Sequence, residues 1–109
     1  SSSSSSVTSD GILYISYSGL AANGTSGTET TTELTLSFDK DPFALTIDNI
    51  TVTGATKGSL SGTGTTRTLT ISAITVGNGS EVTVTLSNPY GWMIFTPSSK
   101  TVVVYRLLL

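Results

Sequence analysis

The residues that could do chemistry in this chain are a few acids, a few bases and a small set of aromatic side chains. The sequence of 109 residues has neither histidine nor cysteine, which excludes an imidazole base, a thiolate nucleophile and a zinc–thiolate site. A glycosidase needs two carboxyl groups across one cleft, and only Asp39 and Asp41 are close neighbours in sequence. We therefore expect no enzyme activity and no cofactor.

Three aspartates are weak candidates for a metal site. Asp39, Asp41 and Asp48 could give oxygen ligands to a calcium ion, which takes six to eight of them. Lys40 lies between the first two and would repel a cation. We favour a solvated turn in which the carboxylates form hydrogen bonds to nearby backbone, and we expect no metal.

An aromatic cluster near the end of the chain is the best candidate for a ligand-binding site. Tyr90, Trp92 and Phe95 lie close together in sequence, and exposed aromatic faces can stack on the apolar face of a sugar ring. The alternative is that Trp92 folds over the open end of the fold and belongs to the core. We favour packing, because a lone tryptophan in a small domain is usually buried.

The elements that must position these residues are short strands. Leu34, Leu36 and Phe38 alternate with polar residues, residues 39–42 break the pattern, and the alternation resumes at Ile50. Such spacing places apolar side chains on one face of a strand. Further strands are predicted at 12–17, 57–61, 66–72, 81–87 and 101–107, and a short apolar run covers 92–95. Glycine recurs too often for helices, so the pattern predicts an all-β immunoglobulin-like sandwich of about seven strands in two sheets.

The same alternation predicts a core, and the topology of the predicted sandwich implies one crossing between its sheets. Asn78-Gly79 is a strong hairpin signal, but in an immunoglobulin-like sandwich the fifth and sixth strands lie in different sheets. We expect residues 73–76 to cross between the sheets. The predicted core consists of Leu13, Ile15, Leu34, Leu36, Phe38, Ile50, Val52, Leu69, Ile71, Val82, Val84, Leu86, Val102 and Val104.

Composition limits the partners of the chain. Only 11% of residues are charged, against about 25% in average soluble proteins, whereas 21 are Thr and 18 are Ser. A net charge of -2 gives no attraction for nucleic acid, and no apolar run approaches the roughly 20 residues of a membrane span. We therefore expect neither nucleic-acid binding nor membrane insertion. Residues 1–10 are predicted to be a flexible Ser-rich linker and residues 11–109 one domain.

Several sequence blocks in order resemble bacterial immunoglobulin-like repeat domains of surface and secreted proteins. The blocks are LTLSFDK, LTIDNITVTGATKG, TLTIS, NGSEVTVTLSNP and KTVVVY, and the resemblance covers residues 33–105. It implies a sandwich without a disulfide, no catalytic residues, and an extracellular or cell-surface location, often in tandem with neighbouring domains of the same polypeptide. The implied function is a spacer or adhesion unit. The alternative is a small carbohydrate-binding module that takes a glycan or host-surface ligand at Trp92.

Overall fold

The computed structural model describes residues 11–107, so the predicted linker at 1–10 lies outside the described part of the chain. Within that part, eight strands and one short 3-10 helix form the regular structure. They are β1 (Leu13–Ala22), β2 (Glu33–Phe38), the 3-10 helix (Ile47–Asn49), β3 (Ile50–Thr53), β4 (Thr56–Ser61), β5 (Thr66–Ser72), β6 (Glu81–Leu86), β7 (Met93–Thr96) and β8 (Ser99–Val103).

The strands form two sheets with the connectivity of an immunoglobulin-like sandwich. One sheet has the order β4-β5-β2-β1-β7, and the other has the order β3-β6-β8. The order β4-β5-β2-β1 followed by a separate three-stranded sheet is that of immunoglobulin constant-type domains. The predicted fold class is therefore confirmed. The eighth strand is β7, a short segment that pairs in parallel with the first half of β1.

Strand β1 changes its partner halfway along its length. Residues 13–16 pair in parallel with β7, and residues 17–22 pair antiparallel with β2, with an irregularity between Tyr17 and Gly19. The sequence predicted a strand over residues 12–17 only. The strand continues to Ala22 because Leu20 and Ala22 pack against the core.

The predicted crossing between sheets is confirmed. Ile71 on β5 pairs with Lys57 on β4, whereas Val82 on β6 pairs with Val102 on β8. The connection between them buries Ile74 against the core. Asn78-Gly79 therefore turns the chain without forming a hairpin between β5 and β6.

The core lies between the sheets and contains most of the predicted residues. Leu13, Val52 and Val102 are only partly buried, but they pack against the same cluster. Leu45 also enters the core, from the irregular segment between β2 and the 3-10 helix. The buried core is Ile15, Tyr17, Leu34, Leu36, Phe38, Leu45, Ile50, Leu69, Ile71, Ile74, Val82, Val84, Leu86, Met93, Phe95 and Val104.

The chain enters and leaves the sandwich at opposite ends. At the end that we call the upper pole, β1 begins, and the Leu13 N–H donates to the carbonyl of Trp92 (2.6 Å). At the lower pole, beyond the other end of β1, the Leu107 N–H donates to Thr30 Oγ1 (3.0 Å). Ten extended residues separate these poles by about 30 Å.

Candidate functional site

A tight turn at the upper pole holds two aromatic residues. The Met93 N–H donates to the carbonyl of Tyr90 (3.1 Å), which closes the four-residue turn that precedes β7. The Trp92 carbonyl accepts the hydrogen bond from Leu13, so the turn is also fixed to the start of β1. Tyr90 and Trp92 are thereby held beside each other, with only Gly91 between them in sequence.

The rings of Tyr90, Trp92 and Phe43 form an exposed group that we call the aromatic stack. The Tyr90 and Trp92 ring centroids lie 5.0 Å apart with planes 7° from parallel, an offset stacking arrangement. The Phe43 centroid lies 6.1 Å from that of Trp92 with an interplanar angle of 26°. Trp92 contacts both other rings and is the least exposed at 40%, whereas Tyr90 is 52% and Phe43 61% exposed.

Phe95, which the sequence placed with Tyr90 and Trp92, is not part of the aromatic stack. Its side chain is only 2% exposed, and its ring packs against Phe38 at 5.9 Å between centroids. The alternation of β7 points Met93 and Phe95 into the core. Trp92 precedes the strand and is exposed. The prediction that it packs in the core is therefore wrong.

Phe43 replaces Phe95 in the group, and sequence reasoning missed it. Phe43 and Leu45 are apolar residues two positions apart, but Leu45 is buried while Phe43 points outward. The signal that could have separated them is Pro42, which directly precedes Phe43 in a polar turn after β2. An aromatic residue in such a turn lies at the surface unless the turn folds back on the core.

The aspartates proposed as weak metal ligands are not brought together. Asp39 pairs with Lys40 (2.7 Å), Asp41 pairs with Arg67 (2.9 Å), and Asp48 lies in the 3-10 helix. Between residues 11 and 107, no three metal-ligating side chains form a group. The ion pairs compensate the charges of the turn that carries Phe43.

Two surface cavities lie outside the aromatic stack. One, of about 370 Å³, is lined mainly by Leu45, Ile47, Leu60 and Arg67. The Arg67 guanidinium is already engaged there, because it donates to the Gly62 carbonyl and to Asp41. The second, of about 350 Å³, lies at the lower pole around residues 30–32, 71–74 and 106–107. Neither lining contains a carboxylate, so neither combines an acid with a base for catalysis.

The fold and the site define a disulfide-free immunoglobulin-like sandwich with an exposed aromatic stack at one pole. No protein family, curated protein or solved structure matches this chain. The resemblance to bacterial immunoglobulin-like repeats therefore stays a prediction from the sequence. In the described range, no helix is long and apolar enough to cross a membrane.

Proposed function

We propose that this chain is a non-catalytic module of a bacterial cell-surface or secreted protein, and that it acts as a spacer or adhesion unit beside other domains of the same polypeptide. The observation that carries the proposal is the position of Leu13 and Leu107 at opposite poles. Segments attached there would be held apart by the length of the sandwich. A rigid β-sandwich keeps that length, because its two sheets share one packed core.

The surface of the sheets also suits a spacer. Threonines occupy outward positions on most strands, and their hydroxyls form hydrogen bonds with water while their β-branched carbons favour extended backbone. A face of this kind offers neighbouring molecules little apolar surface to bury. The exposed strand threonines are Thr35, Thr51, Thr53, Thr56, Thr66, Thr70, Thr96 and Thr101.

The pairing of β1 with β7 gives the sandwich a way to resist tension. The two strands are parallel over four residue pairs. Tension between the start of β1 and the end of the chain pulls these strands in opposite directions along their length. The hydrogen bonds between the two strands lie across the direction of the force, so this shear geometry requires them to break together. If a strand were instead peeled away from one end, its hydrogen bonds would break one at a time. A surface spacer under load benefits from this geometry.

Single-molecule force measurements test the spacer proposal, with handles at the two ends of the full chain. Leu13→Pro removes the N–H that bonds to Trp92, at the first residue of a strand, where proline is tolerated. We expect a lower unfolding force for Leu13→Pro than for the unmodified chain. Tyr14→Pro is the matched control, because in a parallel ladder the N–H of the next residue points away from the partner strand.

The same experiment can contradict the proposal. Equal unfolding forces for the unmodified chain and Leu13→Pro would show that the parallel pairing does not carry the load. A distance between spin labels on residues 11 and 107 well below about 30 Å would remove the geometric basis of the spacer.

A further inference from the structure

The aromatic stack is an exposed apolar surface that the spacer function does not use. A whole aromatic side chain has about 200 Å² of surface, so the three exposed fractions amount to about 300 Å². That is the size of the largest apolar patch on a typical monomer, and such patches are often functional. The stack therefore needs an explanation beyond folding.

The area of the stack favours a small ligand over a protein. A stable protein–protein interface buries about 800 Å² on each partner, more than twice what the three rings offer. The two carboxylates of the turn that carries Phe43, Asp39 and Asp41, are each paired with a base. A second copy of the chain would find too little apolar surface here to form a stable dimer.

The electrostatics of the stack favour a neutral ligand. Aromatic faces carry negative potential and attract either a cation or weakly positive C–H groups. An unpaired carboxylate beside the rings would strengthen the binding of a cation, but Asp39 and Asp41 are each paired with a base. The apolar face of a pyranose presents several C–H groups on one flat side, which suits the aromatic faces. A neutral sugar carries no charge, so it needs no unpaired acid beside the rings.

The geometry of the rings indicates where a sugar would bind. Trp92 is the middle ring, and both neighbouring rings are within 26° of parallel to it. Part of the indole face is therefore covered by Tyr90 and Phe43. Tyr90 and Phe43 are more exposed than Trp92, so they offer a ligand the larger part of the accessible ring surface.

We propose that the aromatic stack binds neutral oligosaccharides, with the Tyr90 and Phe43 rings as the sugar-contacting faces and Trp92 as the ring that positions them. This binding is independent of the spacer function and would remain if the mechanical test failed. It assigns Phe43 to the site in place of Phe95.

The single tryptophan of the chain makes the test specific, because all indole fluorescence comes from Trp92. The full chain is titrated with cellohexaose, chitohexaose and xylohexaose to about 10 mM, which is enough to approach saturation of a complex with a Kd of about 1 mM. We expect a saturable change in Trp92 emission with at least one of them. Tyr90→Ala and Phe43→Ala should each weaken binding roughly three- to tenfold.

Tyr14→Ala is the control, because Tyr14 is also exposed but lies outside the stack. Its affinity should match that of the unmodified chain. Circular dichroism of each variant checks the fold, and because the substituted rings are exposed we expect all variants to fold.

Three results would overturn the proposal. The first is no response to any of the three oligosaccharides. The second is unchanged binding in the Tyr90→Ala, Phe43→Ala double variant. The third is self-association in sedimentation experiments that either substitution abolishes, which would assign the stack to a second copy of the chain.

Discussion

Thr31 provides the sharpest test of how the lower pole is held together. It is almost fully buried, and its hydroxyl donates to the carbonyl of Asn23 (2.7 Å) and accepts from the N–H of Tyr105 (3.0 Å). Its own N–H donates to the carbonyl of Tyr105 (2.8 Å). One side chain thus connects the end of β1, the start of β2 and the segment after β8.

Thr31→Val keeps the shape of the side chain but removes both hydrogen bonds of the hydroxyl. The Asn23 carbonyl and the Tyr105 N–H would then lack these partners in a partly buried site. Each unsatisfied buried group costs about 1–3 kcal/mol. Because both bonds are only part-buried, water can reach the groups to some extent, and we expect a loss of about 2–3 kcal/mol in the free energy of unfolding.

Equilibrium urea unfolding of the full chain measures this loss, and Thr35→Val is the matched control. Thr35 lies on β2 and is exposed, so the same chemical change should alter stability by less than about 0.5 kcal/mol. If the two substitutions cost the same, the hydroxyl of Thr31 contributes nothing net. The lower pole would then be held by apolar packing alone, which would contradict the predicted contribution of the two Thr31 hydrogen bonds.

Two further predictions concern side chains elsewhere in the sandwich. Burial raises the pKa of the Tyr17 phenol. Above about pH 10 this phenol therefore ionises only in the unfolded state, and the free energy of unfolding falls by about 1.4 kcal/mol per pH unit. Urea unfolding between about pH 9 and 11 should show this loss in the unmodified chain but not in Tyr17→Phe. The substitution also removes a buried hydroxyl that has no hydrogen-bond partner. Parallel curves of stability against pH for the two proteins would contradict the prediction. Asp41→Asn should cost less than about 1 kcal/mol in the free energy of unfolding, because Asp41 is largely exposed. Arg67→Ala should cost more in the same assay, since it also removes the bond to Gly62 and the stem that lines a cavity; equal costs would contradict this.

The strands that could be predicted from the sequence are those with one buried face and one solvent-exposed face. In β2 and β6 the apolar residues recur at every second position, and the structure buries them as expected. The placement of β5 and β6 in different sheets came instead from the topology of an immunoglobulin-like sandwich, with residues 73–76 as the crossing segment. Strict alternation works because a shift of one residue would turn the whole apolar set to water.

The candidate site was predicted less well, because its residues come from two turns. In the run 92–95 every residue is apolar, so the sequence does not show which side chains point inward. Phe95 and Trp92 were therefore assigned to the wrong environments. The contact between Phe43 and Trp92 joins residues far apart in sequence, and no local pattern encodes such a contact.

The two aromatic groups of the sandwich separate folding from recognition. Inside the core, Tyr17 stacks on Phe38 and the tilted ring of Phe95 packs against Phe38, so the three rings fill space between the sheets. The aromatic stack leaves from two-fifths to three-fifths of each ring in water, so its rings gain only part of the free energy of burial. The sandwich is already closed by the buried group, and folding alone does not require three further large rings at its upper pole. Their stacked arrangement on two anchored turns is instead what a rigid binding surface requires, because its ligand-contacting faces are ordered before the ligand arrives.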